Sequence, residues 1–337
     1  MTSPTPVVHH SEHGGWVLKE GRSSPLNPPL DTSSVYAIAV SPNYARDGGC
    51  FAACDSGLYR SEDGGLTWRF AYSDFTGDSP PTTTAVAISP DFANSPYVFA
   101  GGHGGILRSA DGGVTWSLAT LPTPPPLVST LVVSPQFVQD GTVFAGTVED
   151  GVFRSNDRGT HWTAWNFGLL DLSIFALAVS PNFAHDDTLF AGTEIGIFRS
   201  TNGGRAWREV AFPIDHAPVL SLALSPGYAE DGILYAGTET HGLLRSDDRG
   251  HIWRPIAEGQ LNGSINAIML APTFPGRLEI LIQLDDTVLV SHDGGGSWSE
   301  RVTLPAQQRV AAVAAPHGFG RDTTLLVGLV EGGVQRV

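Results

Sequence analysis

The sequence predicts an all-β fold: a single β-propeller of seven four-stranded antiparallel blades spanning residues 1–337, its ring closed by an N-terminal strand that completes the last blade. Three observations predict it. An eight-residue pattern recurs six times, as SEDGGLTW from Ser61, SADGGVTW from Ser109, SNDRGTHW from Ser155, STNGGRAW from Ser200, SDDRGHIW from Ser246 and SHDGGGSW from Ser291, with the serines 48, 46, 45, 46 and 45 residues apart. A second motif, of the type SPNF, recurs seven times, near Ser41, Ser89, Ser134, Ser180, Ser225, Ala271 and Ala315. Seven of the eight tryptophans (Trp16, Trp68, Trp116, Trp162, Trp207, Trp253 and Trp298) end a copy of the first pattern or of a shortened one, SEHGGW, at Ser11.

A strict period of this length means stacked supersecondary units. In the fourth unit, IFALAVSP, TLFAGT, IFRS and AWREVAF are apolar runs separated by NFAHDD, EIG and TNGG. That gives four short strands per unit, with Gly and Pro at the connections and no helical periodicity long enough to compete. Repeated four-stranded units fit the blades of a propeller, whereas a sandwich gives no reason for a period. The blades start near residues 35, 83, 128, 173, 218, 264 and 309. The seventh unit stops at Val337, where its fourth strand is due, and residues 11–21 supply the missing turn and strand. An open ring would leave unpaired edges. Deleting residues 1–20 is therefore expected to lower the melting temperature sharply.

Forty glycines, 24 prolines and only 16% charged residues agree with many turns around a well-supplied core. No stretch reaches the roughly 18 consecutive apolar residues of a membrane span, and the start has neither a basic end nor an apolar segment. The expectation is a cytoplasmic protein as the sequence is written, or a secreted or periplasmic one if a leader has been removed. With a net charge of −15 and one lysine, Lys19, the chain repels phosphate backbones and anionic lipid, so neither nucleic acid nor membrane insertion is expected. Cys50 and Cys54 lie four apart on a strand-like run, about 13 Å, too far for a disulfide and wrong for a CxxC site.

The third residue of the repeated pattern is Asp63, Asp111, Asp157, Asn202, Asp248 or Asp293, and the fifth is always Gly. An acceptor for turn N–H groups and a residue free to take positive φ are what a tight turn needs, so these acids are read as structural. The pattern resembles the Asp-box, or BNR, repeat of sialidases, sortilin-type receptor propellers, xyloglucan-degrading glycoside hydrolases and photosystem II stability and assembly factors. Its fuller form, GIFRSTNGGRAW after SPNFAHDDTLFAGT, looks most like the sortilin and assembly-factor branch over nearly the whole chain. The resemblance implies a propeller in which the box is a folding device without catalytic duty.

In such a fold the turns between second and third strands, and the connections between blades, open on one face. Those turns carry Asp55, Glu149, Asp150, Glu194, Glu239, Asp285, Asp286 and Glu331, with His103 and His241 beside them. They form either ordinary solvated turns or an acidic surface for a basic partner; a calcium site is disfavoured because no D-x-D-x-D-G loop is present. On the connections, Tyr72, Phe75, Phe167 and Trp165, the one tryptophan the repeat does not need, are candidates for a contact patch. Arginines precede the box at Arg60, Arg108, Arg154, Arg199, Arg245 and Arg336. Structural pairs with carboxylates of neighbouring strands are favoured for them over an anion-binding stripe.

The functional reading is a non-catalytic scaffold that docks another protein on the acidic loop face, without cofactor or metal. The alternative is a carbohydrate-binding glycoside hydrolase or sialidase-like enzyme with a carboxylate pair at the channel mouth, for example Glu194 and Glu239. The sialidase version lacks a FRIP-type opening and an arginine cluster, and one propeller lacks the two-propeller cleft of xyloglucan-cleaving relatives.

Overall fold

In the computed structural model, residues 29–72, 81–122, 124–214, 216–261, 263–305 and 307–337 are described, with the backbones of Val7–His10 and Trp16–Lys19. Seven antiparallel sheets follow one another along the chain, six of four strands and the last of three. Blade four shows the plan: Ile174–Val179, Leu189–Thr193, Ile197–Ser200 and Arg208–Glu209, hydrogen-bonded in sequence order. The other first strands are Val35–Val40, Thr83–Ile88, Leu127–Val133, Val219–Leu224, Ala267–Leu270 and Val310–Ala314. The chain is a seven-bladed propeller.

Second strands are buried on both faces, as in Leu189–Thr193 and Val98–Gly102, so they read as continuous apolar runs. First and second strands are joined at four blades by a single helical turn (Tyr44–Asp47, Phe137–Asp140, Phe183–Asp186, Tyr228–Asp231) whose leading aromatic is buried. A serine and an aspartate six residues apart fix each turn: Ser41 Oγ donates to Asp47 at 2.7 Å, and Ser134, Ser180 and Ser225 donate to Asp140, Asp186 and Asp231 at 2.6 Å. The motif SPNF is thus the start of a second repeated hydrogen-bonded device.

Neighbouring blades meet through a small-to-branched joint. A buried β-branched residue stands at the start of the first strand, or within two residues of it, at every blade: Val35, Thr83, Val128, Ile174, Val219, Ile265 and Val310. A Cβ placed on Gly101 would lie 2.5 Å from Val128, one on Gly146 2.6 Å from Ile174, and one on Gly237 2.6 Å from Ile265. Real Cβ contacts do not occur at such distances, so only glycine lets the blades approach. The repeated turn supplies a second joint: Gly113 and Gly250, with φ of +87° and +84°, leave room for Phe51 and Phe190 of the preceding blade. A side-chain hydroxyl adds a third: Thr84 Oγ1 donates to Val128 O at 2.5 Å, Ser129 Oγ to Ile174 O at 2.5 Å and Ser221 Oγ to Ile265 O at 2.8 Å.

The ring-closing strand expected from residues 11–21 is corrected by the sheet order. Trp16–Lys19 pairs with Val7–His10 in a hairpin of its own, from Val7 opposite Lys19 to His10 opposite Trp16, and among the described residues blade seven has three strands. Residues 11–15 and 20–28 lie outside the described residues. The physical reason is proximity: a partner five residues away costs far less loop-closure entropy than one at the other end of the chain. Blades seven and one meet by the same joints as the others. A Cβ on Gly328 would lie 2.5 Å from Val35, and one on Gly65 2.8 Å from Leu326; Ser34 Oγ donates to Val330 O, and Gly333 N donates to Ser33 O at 3.0 Å.

Gly328→Ala should therefore destabilise the fold by about 1–3 kcal/mol, an overpacking cost, and Gly101→Ala by a similar amount in urea denaturation. Deletion of residues 1–20 should leave the melting temperature nearly unchanged, because the seam between blades seven and one is complete without them; differential scanning calorimetry checks both.

Candidate functional site

Antiparallel order puts the second-to-third turns and the connections between blades at one end of the strands, and the helical and repeated turns at the other. All ten sequence-predicted turn residues (Asp55, His103, Glu149, Asp150, Glu194, Glu239, His241, Asp285, Asp286 and Glu331) are exposed at the first end. They are distributed blade by blade and do not converge. Asp55 Oδ1 accepts from Ser34 N at 3.1 Å, Asp285 Oδ1 from Asn266 Nδ2 at 3.0 Å and Asp286 Oδ1 from Thr287 Oγ1 at 3.0 Å. Among the described residues, no three His, Cys, Asp or Glu side chains gather as a metal site would require.

The connection from blade three to blade four, residues 165–173, is held along its length by hydrogen bonds. Trp165 is half-buried, with the Arg154 guanidinium 4.5 Å and that of Arg205 5.9 Å from its ring, and its carbonyl accepts from Trp207 Nε1 at 2.8 Å. Asn166 then clamps the turn of blade three, accepting from Val152 N at 2.8 Å and donating to Asp150 O at 2.8 Å. Phe167 O accepts from Trp207 N at 2.8 Å, Leu169 is buried, and Asp171 accepts from Ser173 N at 2.9 Å and Ile195 N at 3.2 Å. On this fixed backbone Phe167 is 80% and Leu170 72% exposed, with Leu172 also exposed. Hydrogen bonds place the patch beside Asp150 and beside the turn that carries Glu194, so an apolar centre has an acidic rim.

One of the predicted patch residues, Tyr72, does not join it. Tyr72 is only 3% exposed: its ring packs edge-on to Phe70 and Trp116, at 5.7 and 5.4 Å, and its hydroxyl is 2.9 Å from Thr83 Oγ1. Its aromatic area fills the joint between blades one and two and is not available to a partner. Phe75 lies outside the described residues. Leu170 and Leu172 were missed, although the run FGLLDLS, apolar yet outside the strand pattern, carried the signal.

The carboxylates of the repeated turn are committed to hydrogen bonds. Asp63 accepts from Ser61 Oγ (2.8 Å), Leu66 N (3.1 Å), Thr67 N (2.9 Å) and Thr67 Oγ1 (2.5 Å). The Thr67 hydroxyl, then its N–H and the Ser61 hydroxyl, hold the Asp63 carboxyl far below the usual range, and Ser297 and Ser291 do the same for Asp293. At Asp157 partial burial opposes the shift, but the His161 N–H and ring and the Ser155 hydroxyl outweigh it and lower the carboxyl to about 2. Asp111 and Asp248 move the same way, again against burial. Asn202 keeps the geometry without the charge, its Oδ1 accepting from Ser200 Oγ and Ala206 N at 2.9 Å. Carboxyls held this low are poor proton donors, and each turn engages Oδ1 with the opening serine hydroxyl and backbone N–H groups.

The arginines before the turn mostly stack on rings, where paired carboxylates of neighbouring strands were expected. Five of the six lie directly opposite an aromatic of the second strand, Arg336 facing Leu326 instead: Arg60 is 6.0 Å from Phe51, Arg108 5.4 Å from the Phe99 neighbour Tyr97, Arg154 5.4 Å from Phe144, Arg199 5.7 Å from Phe190 and Arg245 5.7 Å from Tyr235. Cys50 and Cys54 are buried and unbridged, and burial pushes the Cys50 thiol up to about 12.

No family model matches the chain, and no curated protein gives a significant match. Solved structures do resemble it. The GH74 xyloglucanase from Xanthomonas campestris superposes with a TM-score of 0.70 at 20% identity, covering 94% of this chain and 52% of its own. YCF48 from Cyanidioschyzon merolae gives 0.64 at 17%, covering 93% and 98%, and YCF48 has also been solved bound to a D1 peptide. The extracellular domain of a one-component system from B. thetaiotaomicron gives 0.67 at 15%, covering 93% and 39%. The chain thus spans about half or less of the xyloglucanase and of that extracellular domain. At these identities the likeness establishes the propeller fold.

Because the folded-state carboxyls of the turns are lowered, their contribution is complete above the unfolded carboxyl value of about 4 and is lost as pH falls through the folded values. Urea stability is expected to be flat from about pH 7 to 5 and to fall between about 4 and 2. Asp157→Asn should shrink the acid-dependent part of that curve, and Asn202→Asp should enlarge it.

Proposed function

We propose that the chain is a non-catalytic binding propeller that docks another protein on its loop face, centred on Phe167, Leu170 and Leu172. The observation that carries this reading is the exposure of two large apolar side chains on a segment whose backbone is pinned by Asn166, Trp207 and Asp171. Exposed apolar groups held in place lose little entropy on association and are the usual centres of protein interfaces. Glu149, Asp150 and Glu194 around the patch favour a partner segment with an apolar anchor and flanking basic residues. The likeness to YCF48, which has been solved with a peptide bound, is in keeping with this. The glycoside hydrolase alternative has a structural neighbour too; it requires an acid and a base at set separation.

Affinity capture with the wild-type chain should retain a stoichiometric protein partner. Phe167→Ser with Leu170→Ser should weaken that capture by about tenfold or more and leave the melting temperature within about 2 °C, since both side chains are exposed. Undiminished capture by the double variant would remove the patch from the interface.

A further inference from the structure

Three blades place one arginine directly across from another on their third and fourth strands: Arg60 opposite Arg69, Arg199 opposite Arg208, and Arg245 opposite Arg254. Like charges in that register repel. In blades one and five the repeated turn opens on two acids, Glu62 with Asp63 and Asp247 with Asp248, and the first of each pair answers the arginine. Arg60 Nη2 is 2.5 Å from Glu62 Oε1, and Arg245 Nε donates to Asp247 Oδ1 at 2.7 Å. In blade four both acids are replaced, by Thr201 and Asn202.

Among the described residues, neither Arg199 nor Arg208 has a carboxylate within ion-pair distance. Arg199 is fixed all the same: its guanidinium stands 5.7 Å from the Phe190 ring, and Nη1 donates to His251 Nε2 at 3.1 Å, which requires that nitrogen to be unprotonated. Asn202 uses Oδ1 within the turn, as above. Where four other turns present Thr67, Thr115, His161 or Ser297 to the second side-chain atom, blade four has Ala206, so the Asn202 amide nitrogen has no partner among the described residues. Arg199, Asn202, Ala206, Arg208 and His251 line a groove of about 570 Å³ between the outer strand of blade four and the turn of blade five. The equivalent grooves at blades one and five, where the acids are present, measure about 320 and 90 Å³.

We propose that this groove is a binding site for a carboxylate-bearing ligand, held by Arg199 and Arg208 with the Asn202 amide as a third donor. The charge count selects a monoanion. Two guanidinium groups face one carboxylate, Glu209, and a neutral His251, leaving a single positive charge. Paired guanidinium groups suit the two oxygens of a carboxylate, and Val210 and Ala211 give the rest of the ligand an apolar wall.

Isothermal titration of the full chain at low salt, with N-acetyl-dialanine as the free acid, as its C-terminal amide, and with sodium sulfate at matched ionic strength, tests the assignment. The free acid should bind and the amide should not. Asn202→Asp, which installs the residue the other turns use there and so retains the fold, and Arg208→Gln should each weaken binding by about tenfold or more. Glu209→Gln should tighten it, a gain that a merely structural role would not produce. Equal affinity for acid and amide, binding unchanged in Asn202→Asp, or a Glu209→Gln variant that binds no better would overturn the proposal, and sulfate binding as tightly as the acid would overturn the choice of a carboxylate.

Discussion

The ring depends on the missing side chain of a glycine. At five of the seven joints, Gly101, Gly146, Gly192, Gly237 and Gly328 leave space that the next blade fills with Val128, Ile174, Val219, Ile265 and Val35. The same wedge repeated around a circle sets how closely the inner strands approach, and so fixes the channel and the direction in which every loop projects. Blades one and six vary it: Ala53 stands at the glycine position of the first, and Gln283 reaches Val310 O by hydrogen bond at 3.2 Å in the other. The turn glycines act at larger radius, where positive φ and the room needed for the preceding blade's phenylalanine are met by one residue.

Much of the architecture was legible because the chain repeats each device. Period, strand count and the location of the structural aspartates follow from the six boxes. The Ser–Asp pair of the helical turn recurs at four blades and the glycine of the FAGT runs at five, and they could have been found by asking why those residues return at the same place in most units. The ring-closing strand was misassigned because SEHGGW shares a serine, a glycine and a tryptophan with the boxes, while pairing is decided by which strand lies near. Sequence pattern reports the residue types of a turn; it does not report the partner of a strand.

The binding surface was less legible, and for a physical reason. Loops carry no period, so an aromatic there gives no sign of the side it faces. Tyr72 and Trp165 both follow the outer strand of their blades, yet one disappears into a joint and the other is covered by two guanidinium groups. What distinguishes Phe167 and Leu170 is the set of backbone hydrogen bonds that holds them out, and those arise from partners distant in sequence. The acidic turns were placed on the intended face, but a ring of seven blades keeps them apart.

The contact between blades seven and one also says something about history. Since Gly328 and Val35 repeat the contact that Gly101 makes with Val128, the seam where the chain begins and ends is chemically equivalent to most other seams. A seam is thus held by side chains of neighbouring blades packing into one another, and not by the connection of one blade to the next along the chain. Duplication or loss of a blade would change the ring's circumference but not its rule of assembly, which gives such a chain a simple route to rings of other sizes.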